Sequence, residues 1–510
     1  MTTRASGFRS LLVLVLGSTV WAACVDSSDA GRGTPGVDGG ADGSLCGVTS
    51  CVDGAVAPDA AEPGDASIAD APGDVAIDSA DAAALHDVYV DPTNGLDTNV
   101  GTAALPFKTI RKASTVVPAG STVWLADGTY NAANQGGATP LALPDGARVS
   151  AKNVGLAILD GLQVVANGAS NAVAGVVFKS GAAGAATLAA AGATKVTLTQ
   201  SSFTGLLPSS GVVVIGDAAE LVIVGGTFDG AGGGVEGFGY QLIGATGTSK
   251  LTLDGVTMKN FQASAIGVNG GSSTTPVVVL LKNGTVLDTI GTADNCASGG
   301  SIVLTKNVSL TVDASEIKNA KTAGICVRNG TASQVHVTLQ NGAKLTNDVN
   351  GIRSEPGTGS EMTLVVNGAT FTSNISAGIF FDGSGSFDIT ASTATGNGSG
   401  ISVNAGLPLA VKMRQSTSAN NTFAFSANGT ALTLDLGTVA SPGANTFTGN
   451  TTSGLQLGIP AGQTATAVGN TWNAGLQSAD AAGHYTAGTS VAGPASGGNY
   501  QLLNASTLTL

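Results

Sequence analysis

The fold class this sequence predicts is an all-β solenoid, a single-stranded parallel β-helix, and three observations predict it. The first is a repeat. Leu251-Thr-Leu-Asp-Gly-Val-Thr-Met-Lys-Asn260 returns as Leu310-Thr-Val-Asp-Ala-Ser-Glu-Ile-Lys-Asn319, then as Val337-Thr-Leu-Gln-Asn-Gly-Ala-Lys-Leu-Thr-Asn347 and Leu364-Val-Val-Asn-Gly-Ala-Thr-Phe-Thr-Ser-Asn374. Each copy reads as a short alternating strand, a polar turn, a second short strand and an Asn. The second observation is a third strand after each copy: Ala323-Gly-Ile-Cys-Val327, Asn350-Gly-Ile-Arg353, Ala377-Gly-Ile-Phe-Phe381 and Ser399-Gly-Ile-Ser-Val403. The step between copies, about 27 residues and later about 24, lies in the range of solenoid coils. The third is composition: 75 Gly in 510 residues and only 11% charged residues. Strands this short gain a core only by stacking on the next copy. A chain this long escapes the size limit of a single globular core by growing in one dimension.

The N-terminal elements are of another kind. Arg4 and Arg9, the apolar run Leu11 to Leu16 and the segment Val20-Trp-Ala-Ala-Cys24 read as an export signal over residues 1–23. A Cys directly after two Ala looks like the lipobox of bacterial lipoproteins, in which Cys24 would be acylated; Trp21 departs from the usual aliphatic residue there. Soluble secretion after cleavage near Ala22 or Ala23 is the alternative. The apolar run is too short to remain as a membrane span. Residues 24–86, rich in Asp, Ala, Gly and Pro, predict a disordered acidic linker. From residue 25 it carries twelve acidic residues against Arg32 alone, so most of the net charge of −13 lies in this spacer. No Lys/Arg cluster supports nucleic-acid binding. In an oxidising compartment Cys46 pairs with Cys51, and Cys296 with Cys326 about one coil later. The three His are far apart in sequence, and no zinc-ligand spacing is present.

The opening of the folded part, residues 87–149, is the most specific stretch. Val88-Tyr-Val-Asp-Pro-Thr-Asn-Gly-Leu-Asp-Thr-Asn-Val-Gly-Thr102, Leu105-Pro-Phe-Lys-Thr-Ile-Arg111 and Gly120-Ser-Thr-Val-Trp-Leu-Ala-Asp-Gly-Thr-Tyr130 predict strand, Asn-Gly turn, short helix and strand. Phe107, Ile110, Ala113 and Val117 supply one apolar helical face that can plug the open end of a solenoid. These residues resemble the opening module of pectin-lyase-like right-handed β-helix proteins, and among them the DUF1565 family of bacterial surface lipoproteins. The resemblance is specific over residues 87–130. It implies a right-handed parallel β-helix; it leaves activity open, since lyases, hydrolases and non-enzymatic surface proteins share the opening.

Residues 150–475 then supply roughly a dozen coils at strand spacing. Met258, Ile317, Leu345 and Phe371, with Ile266, Ile325, Ile352, Ile379 and Ile401, are expected to line the interior in columns. Asn260, Asn319, Asn347, Asn374, Asn397, Asn421 and Asn450 are expected at one kind of left-handed corner, hydrogen-bonded to one another between coils. Residues 476–510, with Tyr485 and Tyr500, read as a closing cap.

Chemistry has few places to sit. Aligning on the Gly before each Ile puts Arg328, Glu355 and Asp382 in one outward column, continued by Asn404, with Arg353 two residues before Glu355 on the same face. Two carboxylates one coil apart approach the spacing of retaining glycosidases. Alternatively, Arg328 or Arg353 could act as the base of a polyuronate lyase, with Glu355 and Asp382 holding Ca2+. The plain reading is an ion-pair ladder on a solvated face. Lys259 and Lys318 read as solvent-facing turn residues. The sequence thus carries three functions: a surface-anchored, monomeric scaffold that binds glycan or another surface polymer without catalysis; a lyase or hydrolase acting on an acidic polysaccharide; and a purely structural envelope component. Loops walling a cleft around the column would mark the enzyme.

Overall fold

In a computed structural model, the described residues are 87–472, with short breaks in the loops, and three strands beyond, at 484–486, 498–502 and 507–509. The export signal, Cys24, the linker and the Cys46–Cys51 pair lie outside the described residues. No helix among the described residues is long and apolar enough to cross a membrane.

The chain winds as a parallel β-solenoid with three long sheets. Each coil contributes one strand to each sheet in turn: Lys195–Thr199 to the first, Ser202–Thr204 to the second and Val213–Ile215 to the third, before Glu220–Val224 returns to the first. The first sheet holds 17 strands and the other two 14 each. The repeat pairs with itself in the expected register, Leu310 beside Val337 and Val337 beside Leu364. One coil departs from the repeat: Val277–Lys282 and Val286–Asp288 lie between the copies at 251 and 310, so Leu287 separates Met258 from Ile317. Its first strand is Val277-Val-Val-Leu-Leu-Lys282, apolar without the Thr alternation that marks the other copies.

Alternation drives every second side chain inward, and the interior is a stack of like residues. In the second sheet Phe178, Phe203 and Phe228 stack with ring centroids 4.6 and 4.5 Å apart, one ring per rung at the strand spacing. In the third, Ile302, Ile325, Ile352, Ile379 and Ile401 form one buried column. The Gly before each Ile is there because the coils approach closely. A Cβ on Gly351 would lie 2.5 Å from the carbonyl oxygen of Gly378, and one on Gly378 would lie 2.7 Å from that of Gly400.

The recurring Asn residues divide into two classes, which corrects the single class expected. Asn260, Asn319 and Asn347 have φ of 60°, 59° and 57° and sit at left-handed corners. Asn260 and Asn319 donate to Asp229 and Asp288 of the preceding coil rather than to another Asn. Asn374, Asn397, Asn421 and Asn450 are buried and belong to a ladder one residue further on; where Asn347 has its left-handed φ, the next coil uses Ser373. In this ladder the backbone N–H of Asn374 donates to Asn397 Oδ1 (2.9 Å), that of Asn397 to Asn421 Oδ1 (2.8 Å), and that of Asn421 to Asn450 Oδ1 (3.0 Å). Each side-chain amide also donates to a carbonyl of the preceding coil, Asn397 Nδ2 to Phe371 O, for example, at 3.1 Å. Buried main-chain groups at the corner are thereby satisfied without water. The physical reason for two classes is that a corner has two demands, a left-handed backbone and partners for buried amides, and Asn answers either one.

The opening module packs as anticipated, with a shorter helix, Ile110–Val116, capped by Thr109. Phe107 precedes it, buried and bridged to Val90, and Ile110 and Ala113 are buried. Asp97 accepts from the Lys108 and Thr109 N–H groups (3.0 and 2.9 Å), and Gln135 Oε1 accepts from Ile110 N–H (2.8 Å). At the other end, Gly498–Leu502 and Thr507–Thr509 still pair in parallel with the preceding coil, while His484–Thr486 runs antiparallel to Thr507–Thr509.

Candidate functional site

The structure brings the proposed column together on the outer face of the third sheet. Arg328 is the direct register partner of Glu355. Ser354 pairs with Phe381, which puts Asp382 one rung beyond Glu355, and Asp382 in turn pairs with Asn404. Arg353 Nη2 lies 2.7 Å from Glu355 Oε1, both side chains about one-third exposed. The guanidinium is engaged by this carboxylate, so an Arg353 base would first have to be released from Glu355. Arg353 Nε, shut off from solvent, has no hydrogen-bond partner among the described residues. The segments 329–332 and 356–359, where walls around the column would arise, fall outside the described residues. Among the described residues no group of three or more His, Cys, Asp or Glu side chains gathers to hold a metal.

Beside this column Cys326 bonds to Cys296 with a Cα–Cα distance of 5.5 Å, as the sequence predicts. The bridge ties the connection after Ile290 down onto the third sheet, and Ala323 packs against both sulfurs' residues. Lys259 pairs with Asp229 at 3.3 Å and Lys318 with Glu316 at 3.2 Å, so both are partnered outward-facing residues.

A second feature was not visible as a site in the sequence. The first sheet carries a shallow trough of about 330 Å3 spanning four coils. Its lining falls in two registered columns: Thr363, Ser386, Ala410 and Thr433, and beside them Val365, Asp388, Lys412 and Asp435. Charge alternates along the second column. Lys412 lies 3.7 Å from Asp388, while Asp435 is held by both terminal oxygens to Arg414 Nη2 at 2.7 Å. Partial burial would raise the Asp435 pKa, but the bonds from Arg414 and from the Gly437 N–H outweigh it and hold the carboxyl below its ordinary range. The missed signal is register: residues 23 or 24 positions apart in different copies become neighbours only once coil lengths are known.

Comparison with known proteins adds three findings. Residues 93–208 match the family described as "Protein of unknown function (DUF1565)", further downstream than the 87–130 stretch that carries the resemblance. No curated protein sequence matches the chain. Among solved structures, a "Rhamnogalacturonan lyase" is similar at 14% identity and a TM-score of 0.29, over 68% of this chain and 80% of that one. The "Azotobacter vinelandii Mannuronan C-5 epimerase AlgE4 A-module" is similar at 13% identity and a TM-score of 0.24, over 76% of this chain and 91% of that one. The chain is a parallel β-solenoid, and its residues 93–208 match the DUF1565 family model.

Proposed function

We propose that this protein is an exported scaffold, anchored at the cell surface through Cys24, that holds a glycan or similar polymer along its flank without catalysis. The observation that carries this reading is the four-coil trough on the first sheet. Three hydroxyl side chains and a row of alternating charges offer donors and acceptors to a polyhydroxylated chain lying along the axis. Such a trough has the volume of a small-ligand site but is too open to exclude water from a reacting bond. The Arg353–Glu355 pair argues in the same direction, since both members are occupied with each other.

The test is retention of the full chain on a panel of immobilised acidic and neutral glycans. Ala410→Trp, which fills the trough, is expected to abolish retention, and Arg353→Ala to leave it intact. Retention by no glycan, or retention indifferent to Ala410→Trp, overturns the trough reading. Acylation is tested separately: Cys24→Ser is expected to release the protein from the membrane fraction.

A second reading, an acidic-polysaccharide lyase at Arg328, Arg353, Glu355 and Asp382, is favoured by one detail, the unpartnered Nε of Arg353. Ca2+-dependent release of unsaturated uronides, lost in Arg328→Ala and Arg353→Ala, would establish it in place of the scaffold.

A further inference from the structure

The outer face of the second sheet changes character along its length. Over the coils up to residue 344 it carries Asp229, Lys259, Asp288, Glu316, Lys318 and Lys344, with Lys259–Asp229 and Lys318–Glu316 paired. From the next coil on, charge disappears and Thr takes over. Thr370, Thr393, Thr417, Thr446 and Thr471 are consecutive register partners, five rungs in one column. A second column, two residues along each strand, runs Thr346, Thr372, Thr395 and Ala419. It reaches Thr448, whose carbonyl accepts from Asn420 N–H as that of Thr395 does from Ser373 N–H.

Two further observations set this face apart. Among the described residues none of these Thr hydroxyls has a hydrogen-bond partner in the protein, whereas polar side chains on the earlier coils pair with the coil beside them. The same coils are also braced at both corners. At the corner after the Thr strands runs the Asn374–Asn397–Asn421–Asn450 ladder. At the corner before them Ser392 N–H donates to Ser416 Oγ (3.1 Å), Ser416 N–H to Asn445 Oδ1 (3.0 Å), and Asn445 N–H to Asn470 Oδ1 (3.0 Å). The result is a rigid, uncharged lattice of methyl and hydroxyl groups, repeating at about 4.8 Å across strands and about 6.6 Å along them.

We infer that this Thr lattice binds a crystalline water surface, the face of an ice crystal. A periodic surface is recognised best by a periodic one, and the β-branched Thr side chain is restricted to few rotamers on a strand, so little entropy is lost on contact. Hydroxyls without internal partners can take places in a water lattice, while the methyls between them favour ordered over bulk hydration. The lack of charge removes the attraction that an anionic polymer, nucleic acid or membrane would need. The lack of an aromatic residue in these two columns removes the stacking surface that sugar faces use.

The experiment is ice-affinity partitioning of the full chain, with inhibition of ice recrystallisation as a second readout. The wild type is expected to be enriched in the ice fraction over a bystander protein. Thr417→Tyr, at the centre of the first column, is expected to lose that enrichment, and Thr311→Tyr, facing outward on the first sheet, to keep it; circular dichroism confirms that both variants fold. A wild type distributed like the bystander, a Thr417→Tyr variant enriched like the wild type, or retention on crystalline cellulose without enrichment in ice each overturns the inference. The ice results do not bear on the trough, and any cellulose retention is assigned to one face or the other by Ala410→Trp and Thr417→Tyr.

Discussion

Asp348→Asn is expected to stabilise the protein, by an amount that grows with pH. Asp348 occupies the next place in the buried Asn ladder: its N–H donates to Asn374 Oδ1 at 3.0 Å, and its Oδ1 accepts from Ala320 N–H at 2.7 Å. The other terminal oxygen, Oδ2, stands where each Asn of the ladder carries its amide donor, and it has no partner among the described residues. Burial pushes the carboxyl well above its ordinary pKa; the Glu316 charge pushes the same way, and the Ala320 N–H bond opposes both. Glu316 is itself neutralised in part by Lys318. Because the folded state holds this proton more tightly than the unfolded chain, the contribution to stability is fully present below about pH 4 and fades as pH rises towards the folded pKa. Within that window the wild type loses about 1.4 kcal/mol per pH unit relative to a residue that does not titrate. The Asn variant should therefore match the wild type near pH 4 and exceed it progressively above, the gap levelling off once the folded carboxyl ionises. Near pH 4 the protonated carboxyl supplies the O–H donor that the Asn amide supplies at every pH, so the donor is part of this pH-dependent gap and not an addition to it. Melting temperatures of both proteins at several pH values, with amide exchange at Ala320 and Asp348, read this directly. A difference in Tm that does not change between pH 4 and pH 8, or a variant less stable at pH 8, would refute the reasoning.

Three other outcomes follow from the packing. The two Asn classes should respond oppositely to truncation: Asn347→Gly, at a left-handed corner, should change stability by only a few tenths of a kcal/mol. Asn397→Ala, which strips a buried ladder of donor and acceptor, should cost roughly 1–3 kcal/mol. Equal losses in a denaturation series would erase the distinction. Phe203→Ala, between two stacked rings, should cost about 3–5 kcal/mol, and a melt shifted no more than by a surface substitution would contradict the stack. Cys296→Ser should cost roughly 3–4 kcal/mol for a closed loop of this length; unchanged melting of the oxidised wild type on reduction would show that the bridge adds nothing.

Much of this molecule was legible because its fold is periodic in one dimension. The repeat around Leu310, Val337 and Leu364 specified both strand and register, and the Gly-Ile pairs located the third sheet, because a solenoid makes sequence period and spatial neighbour the same thing. The same logic placed Arg328 beside Glu355 and joined Cys296 to Cys326. It failed where the period slips. A shift of one residue between Asn347 and Asn374 merged two structural roles into one and hid Asp348 among ordinary surface acids. The coil at Val277 lacked the Thr alternation of its neighbours and was passed over. The trough needed steps of 23, 24 and 23 residues and the first Thr column steps of 23, 24, 29 and 25, and such lengths are set by loops whose sequences carry no period. The plain reading of that column as ion pairs foresaw the approach of Arg353 to Glu355, because alternation put both side chains on one outward face.

The reversal of direction at His484–Thr486 has a bearing on self-association. A stack of parallel strands is an open template, and a second molecule docking by continued winding would find unpaired backbone groups ready for it. Among the described residues the last ribbon of the first sheet points the other way, so a newcomer continuing the parallel winding would meet, on that sheet, an edge with the opposite sense. At the first described coil Phe107, Ile110 and Ala113 are buried against the solenoid, so within the described residues parallel addition to the first sheet is discouraged at either end.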